Sequence, residues 1–494
     1  ELEGCFFFFF VQEEKGEVTC VFLGLKLYKE TIDKIFKANS VIPVDFPLAG
    51  WEGTVSDAIQ DMKLRIQEIE RACKELEQKK NSLAAGRTKI TLLYDHYYTI
   101  KNRLNTHNEF GHTQHTVIIK GWVKEYDTER LTQKLKTISD EIYVTFSDPD
   151  PSQEEVPIAL KNKFMIKPFE LIVRLYGMPS YMEKDPTPLI AVFFSLIFAF
   201  ALADGIYGIV LAAIAYKILK KRDLDEQDTD VLWMLIWCGM STLVVGAILG
   251  SWCGDIMDRL PSALSGITSA KNSLMLFDPL KDLKIFIAVS LSIGVIHVFT
   301  GLGFKAYQNI LNGKFQDAFF DQVSWIILVS SVIGWGLAKS KIIPPFLLFS
   351  GVHYYHSWGF IFGALLIVLF GARDVKNIFS RVGMGLYKLY GASSYASDIL
   401  SYIRLLALGL AGGIVGMVIN IISGLLLKVP VVGIILAIAL FSGFHLFSLA
   451  INVLGAFVHT CRLHYVEFFG KFYDNGGKAF IPFRKEGKYY IVKC

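Results

Sequence analysis

The chain has 494 residues, 52% of them hydrophobic and 14% aromatic, and its mean hydropathy of +0.41 excludes an ordinary soluble protein of this size. A formal net charge of +4 over this length gives no reason to expect a nucleic-acid partner. Seven scattered cysteines without a CxxC pair exclude a disulfide framework and read as reduced packing residues. In chain order, ELEGCFFFFFVQEEKGE carries no initiator Met and no basic region ahead of its apolar run, so it is not a signal peptide. Its Phe6 to Val11 run and the following EEKGEVTCVFLGL read as the two strands of a hairpin, with the chain starting partway into a folded lobe.

From Ile59 apolar residues recur at Met62, Ile66, Ile69, Cys73, Leu76, Leu83, Ile90, Tyr94, Tyr97 and Leu104, a coiled-coil seam flanked by charge. One helix cannot bury that seam, so a second helix is expected against it, from a missing N-terminal piece or another subunit. Next, HTVIIKGWVKEYDTERLTQKLKTISDEIYVTFSD reads as a βαβ unit with an Asp127/Thr128 helix start, and Pro149, Pro151 and Pro157 mark a linker. The charged residues 1–186 thus form a cytoplasmic arm of α/β lobes and coiled coil, and 187–494 a transmembrane domain. The expected fold class is mainly α.

Eight apolar segments follow, near 188–203, 204–220, 230–251, 284–304, 318–338, 351–371, 392–427 and 430–470. Asp204 with Gly205 and Gly208 marks a hairpin or break between the first two. The last two are too long to cross upright, because 36–40 helical residues span about 55–60 Å against about 30 Å of hydrocarbon. Lys217, Lys220, Lys221, Arg222, Arg373, Lys376, Arg381, Lys388 and the basic tail outweigh Arg259, Lys271, Lys281, Lys284, Lys339, Lys341 and Lys428, which puts both termini in the cytoplasm.

The last segment carries His445, Ser448, Asn452, Gly455, His459 and Arg462 at spacings of three and four, the pattern of one helix face. The segment before it carries Ser394, Ser397, Ser401, Arg404, Gly412 and Gly416, with Asp398 beside them. An arginine at bilayer depth costs about 2.5–3.5 kcal/mol on the lenient insertion scale, so Arg404 needs a compensating partner. Asp398 is two turns back, the wrong distance for an intimate pair, so the partner is expected on another molecule. An arginine beside a membrane carboxylate favours its charged form and hence release of its proton or sodium ion, which is chemistry for ion translocation. His464 and Glu467, just past Arg462, with Asp204, Asp255 and His297, are candidate access groups.

SYIRLLALGLA and LGAFVHTCRLHYVEFFGKFY, together with PTPLIAVFFSLIFAFALADGIYG, GWV at 121–123, PFELIVRLYGMPSYMEKDPTP and NGGKAFIPF, resemble the stator subunit of V/A-type rotary ATPases. The resemblance runs from about residue 50 through most of the chain. It implies a cytoplasmic coiled-coil arm holding peripheral stalks, contact with the central-stalk subunit at the rotor, and eight membrane helices beside a rotating c-ring. It further implies that Arg404 and Arg462 separate two ion half-channels and meet the ring carboxylate. Eukaryotic members carry an acid at the place of Asn452 and a histidine at Gly412, so this chain resembles the bacterial or archaeal type, and it lacks more than a hundred residues that the family has at its N-terminus. No GxxxxGK[ST] is present, so no nucleotide site or cofactor is expected in this non-catalytic subunit. The residues alone leave two alternatives: a secondary transporter whose arginine binds an anionic substrate, and a structural membrane anchor.

Overall fold

The computed structural model describes residues 6–14, 17–24, 29–38, 55–150, 154–221, 224–259, 265–340, 352–373, 375, 377–430, 432–483, 487 and 489. The chain divides into two compact units, 1–108 with 485–494, and 109–484. In the first, β1 (Phe6–Glu14) and β2 (Glu17–Gly24) pair antiparallel as the expected hairpin, and α1 (Lys29–Ala38) follows. Helix α2 (Val55–His107) is 53 residues long. It contains no proline and a single glycine, Gly86, and at 1.5 Å per residue it extends about 80 Å. Ile59, Met62, Ile66, Ile69, Leu76, Leu83 and Ile90 of its seam are exposed among the described residues.

In the second unit the expected βαβ lobe is reduced to fragments. β3 (Gly111–His112) and β4 (Val117–Ile118) pair over two residues each, and α3 (Thr128–Ile138) follows. Asp127 occupies the N-cap position but its side chain makes no cap bond, and the Thr128 hydroxyl bonds Glu125 O at 2.8 Å instead. The strand expected after α3 has no ladder: residues 142–150 carry no strand pairing.

The linker motif and the tail are explained together. β5 (Pro157–Ile158), then α4 (Glu170–Tyr176) and β6 (Met178–Pro179), precede the membrane half. The tail returns as β7 (Asn475–Ala479) between β5 and β6, in the order β5-β7-β6. A Cβ on Gly477 would lie 1.9 Å from Pro179 O, so only glycine lets the strands close there. Tyr473 donates to Gly177 O at 2.6 Å, Tyr465 to Ile172 O at 3.0 Å, and the Glu183 carboxylate accepts from Ser180 N and Asp474 N. Burial raises Glu183 above the usual carboxylate range, and the two N–H donors oppose that rise.

The eight apolar segments are helices. α5 (Thr187–Leu202) and α6 (Gly205–Lys221) meet at Ala203, whose φ is 52°, and both pack on α7 (Glu226–Leu249). Glycines let α6 and α7 lie backbone to backbone: a Cβ on Gly246 would sit 2.2 Å from Gly205 N, and one on Gly208 2.6 Å from Gly239 O. Then come α8 (Ser265–Leu274), α9 (Leu283–Leu311), the single turn α10 (Phe315–Asp317), a π segment over Ala318–Val323, α11 (Ser324–Ser340) and α12 (Val352–Phe370).

α13 (Ile378–Tyr390) is an additional amphipathic helix where the sequence suggested a basic loop. Its Phe379, Tyr387 and Tyr390 are exposed, while Arg381 lies over the Phe370 ring. The expected segment 392–427 is two helices, α14 (Ala392–Leu400) and α15 (Ile403–Leu426), and α16 (Val432–Arg462) continues into a π segment over Leu463–Phe468. Among the described residues, Gln227–Leu249, Leu283–Leu311, Phe315–Gly336, Ile378–Leu426 and Val432–Lys471 are long and apolar enough to cross a membrane. Thr187–Leu202 and Trp358–Phe370 are shorter apolar helices. The core gathers Phe169, Ile172, Phe194, Phe198, Phe286, Tyr402, Leu405, Phe468 and Phe469 where α5, α9, α15 and the end of α16 meet.

Candidate functional site

The break between α14 and α15 falls at Ser401 and Tyr402, one turn ahead of Arg404. Tyr402 is wholly buried. Its ring rests on α9 where only glycine leaves room, since a Cβ on Gly294 would be 2.6 Å from Tyr402 Cδ2, and its hydroxyl is 2.6 Å from His297 Nδ1. His297 stacks on Phe468 at 4.1 Å and faces the His464 ring at 4.7 Å. Both histidines are 0% exposed. His464 Nδ1 donates to Thr460 O at 2.9 Å, which fixes its tautomer. Helix α9 and the π segment of α16 thereby hold the start of α15.

Arg404 is half-buried, with Nη1 enclosed and no hydrogen-bond partner for it among the described residues, and Arg462 is exposed on α16. Arg404 lies within electrostatic reach of Arg462, His459 and Glu467, and neither arginine forms an ion pair among the described residues. Two like charges within electrostatic reach and without an ion pair among the described residues favour an anion beside them. Glu467, 2% exposed, sits in the π segment with the Ser401 hydroxyl beside it, and its Oε2 has no partner among the described residues. Asp398 does not serve Arg404, because its carboxylate is held by Lys471, whose ammonium also lies 4.1 Å over the Tyr395 ring.

The six-residue stripe does not keep to one face. Seventeen residues separate His445 from Arg462, and at 100° per residue they fall about 100° short of five full turns. The stripe therefore winds from the interior, where His445 and Ser448 are each 7% exposed, through half-buried Asn452, Gly455 and His459 to exposed Arg462. The stripe on the preceding segment winds the opposite way, from exposed Ser394 and Ser397 to buried Gly412 and Gly416.

The inner end of the α16 stripe joins a hydrogen-bonded thread. Asn420 Nδ2 donates to Cys253 O at 2.8 Å and to Asp255 Oδ1 at 2.9 Å, so its Oδ1 is free to accept from His445 Nε2 at 3.1 Å. His445 Nδ1 then accepts from the Tyr207 hydroxyl at 2.8 Å, with Cys253 Sγ 3.3 Å away. The Ser448 hydroxyl lies beside Tyr207, and Asn452 Nδ2 donates to Ser448 Oγ at 3.1 Å. Gly412 makes room for Asn452, as a Cβ there would be 3.3 Å from its Nδ2. At the outer end Asp255 binds Arg259 at 2.7 Å. Partial burial pushes the Asp255 carboxyl up, but Arg259 and the Asn420 amide outweigh it and hold the group below its ordinary value.

Asp204 caps α6: its Oδ1 accepts from Ile206 N and Tyr207 N, and its Oδ2 from Gly254 N at 3.1 Å, which ties the loop after α7 to the thread. The thread therefore runs Asp255, Asn420, His445, Tyr207, Ser448, Asn452, toward His459 and the arginines. Tyr207, Asn420, Cys253 and Tyr402 were missing from the sequence reading. Only Asn420 had a signal, lying one turn beyond Gly416 and two beyond Gly412 on the same stripe.

These features define a polytopic membrane protein with an arginine pair on its last two long helices and a buried polar thread that joins them to α6 and the loop after α7. The chain belongs to the V-type ATPase 116kDa subunit family, whose profile matches residues 11–259 and 394–485. It is 32% identical over 508 residues to the A-type ATP synthase subunit I of Methanocaldococcus jannaschii, covering 97% of this chain and 71% of that protein. It is likewise 32% identical to that of Pyrococcus horikoshii over 448 residues, 87% of this chain and 63% of the relative. To the V-type ATP synthase subunit I of Borreliella burgdorferi it is 26% identical over 365 residues, 69% of this chain and 56% of the relative.

Proposed function

We propose that this chain is the membrane stator subunit of a rotary A/V-type ATPase, and that α15 and α16 form its ion path against a ring of rotor helices. The observation that carries the reading is the arginine pair. Arg404 and Arg462 lie within electrostatic reach of each other, form no ion pair among the described residues, and belong to a helix pair with an exposed apolar face. A rotor carboxylate arriving there completes the pair and gives up its ion, and the guanidinium charge blocks leakage between the two sides. The thread from Asp255 to Asn452 supports one half-channel, and Glu467 with Ser401 and His464 the other.

In this reading both termini are cytoplasmic, α2 with a helix packed along its seam carries the peripheral stalks, and nucleotide chemistry belongs to other subunits. Ile451, Leu454 and Val458 share the exposed face of α16 that ends at Arg462. A cysteine placed at Leu454 is expected to form a disulfide with a cysteine next to the essential carboxylate of a co-purifying ring protein. Cross-linking only to lipid-facing control positions, or no ring protein in the purified complex, would sink the reading.

A further inference from the structure

On α2 a second stripe runs one residue round from the seam positions Ile90, Tyr94 and Tyr97. Thr91, Asp95, Tyr98, Asn102 and Thr106 recur at spacings of three and four and are buried or half-buried, whereas most residues between them are exposed. Asp95 is 8% exposed. A carboxylate so enclosed needs a donor over it, and the main chain of the C-terminal tail supplies one. The Tyr489 N–H points between the two carboxylate oxygens, 3.1 Å from Oδ2 and 3.3 Å from Oδ1. The Tyr489 ring meets Tyr94 edge-on, 5.4 Å between centroids, and Tyr94 stacks on Tyr98 at 6.2 Å. Residues 485–494 belong to the same compact unit as α2, although β7 belongs to the other.

Charge makes this seat specific. Residues 78–108 hold six Lys and Arg and one acid, Asp95, and the tail adds Lys485, Lys488 and Lys493 against Glu486. Two segments of net positive charge repel, so the tail is held where the single carboxylate meets a main-chain donor and the tyrosine rings pack beside it. We propose that the C-terminal tail is a self-docking strap, seated on α2 at Tyr94 and Asp95 with the Asp95 carboxylate as its anchor. It lies beside the seam and not along it, about 100° round the helix. A helix packed along the seam therefore meets a surface shared by α2 and the tail, with Tyr94 the residue common to both. The seat does not depend on the ion path proposed above.

The test uses the full chain in its membranes, with Cys5, Cys20, Cys73 and Cys494 replaced by serine and a protease site inserted after Asp148. Tyr94→Cys combined with Tyr489→Cys is expected to oxidise to a disulfide that keeps the two fragments together after proteolysis. Leu83→Cys with Tyr489→Cys, three turns away on the same helix, should stay at background. Asp95→Ala removes the charge-assisted bond and should lower the yield of the first pair about tenfold. In the chain with its native tyrosines and cysteines, the same substitution should speed amide exchange over residues 485–494 about tenfold and leave β7 unchanged. Equal cross-linking from Leu83, or exchange over 485–494 that Asp95→Ala does not alter, would overturn the strap.

Discussion

Arg404 owes its position to residues that carry no charge. Tyr402, two residues earlier, is locked by Gly294 beneath its ring and His297 at its hydroxyl. Tyr402→Phe leaves His297 Nδ1 unsatisfied in a fully buried site, an expected loss of about 1–3 kcal/mol visible as a lower thermal midpoint of the solubilised protein. An unchanged midpoint would mean the hydroxyl holds nothing. Gly246→Ala forces a methyl against the Gly205 backbone, and a similar loss of about 1–3 kcal/mol is expected from overpacking. Asp255 is held below its ordinary 3.8, so its contribution to stability is present above that pH and is lost as the pH falls through its lower folded value. Asp255→Asn should therefore lower the midpoint at neutral pH and converge on the parent in strong acid; a constant difference would contradict that linkage.

At the scale of elements, the long helices were legible because each is an apolar run of sufficient length bounded by charge, and α2 because its seam repeats over many turns. The stripe on α16 was legible as residues but not as geometry. Counting threes and fours hides a drift that turns His445 inward and Arg462 outward. The thread itself was hidden because Tyr207, Cys253, Asn420 and His445 come from four distant stretches that only tertiary packing joins. In the small lobe the β-rich composition yields the two-residue strands β3 and β4, because propensity alone does not set how far a pairing extends. The tail clamp shows how two motifs recognised separately form one element. Gly477→Ala should free β7, measured as faster amide exchange over residues 475–480, with the membrane helices unaffected; equal exchange would mean that the strand tolerates the Cβ.

At the scale of the whole molecule, the seam of α2 and the face of α15 and α16 that ends at Arg462 are among the exposed apolar surfaces of the described residues. In the proposed reading they take different partners, a helix along the arm and a ring of helices bearing carboxylates in the membrane. The arm is expected to hold still what the ring moves past. That division of labour depends on Arg404 acting as a fixed charge, so the most direct measurement is ion transport per ATP hydrolysed by reconstituted complexes carrying Arg404→Gln. The account predicts that transport falls to background while the assembled complex remains intact; transport at the parental ratio would contradict it.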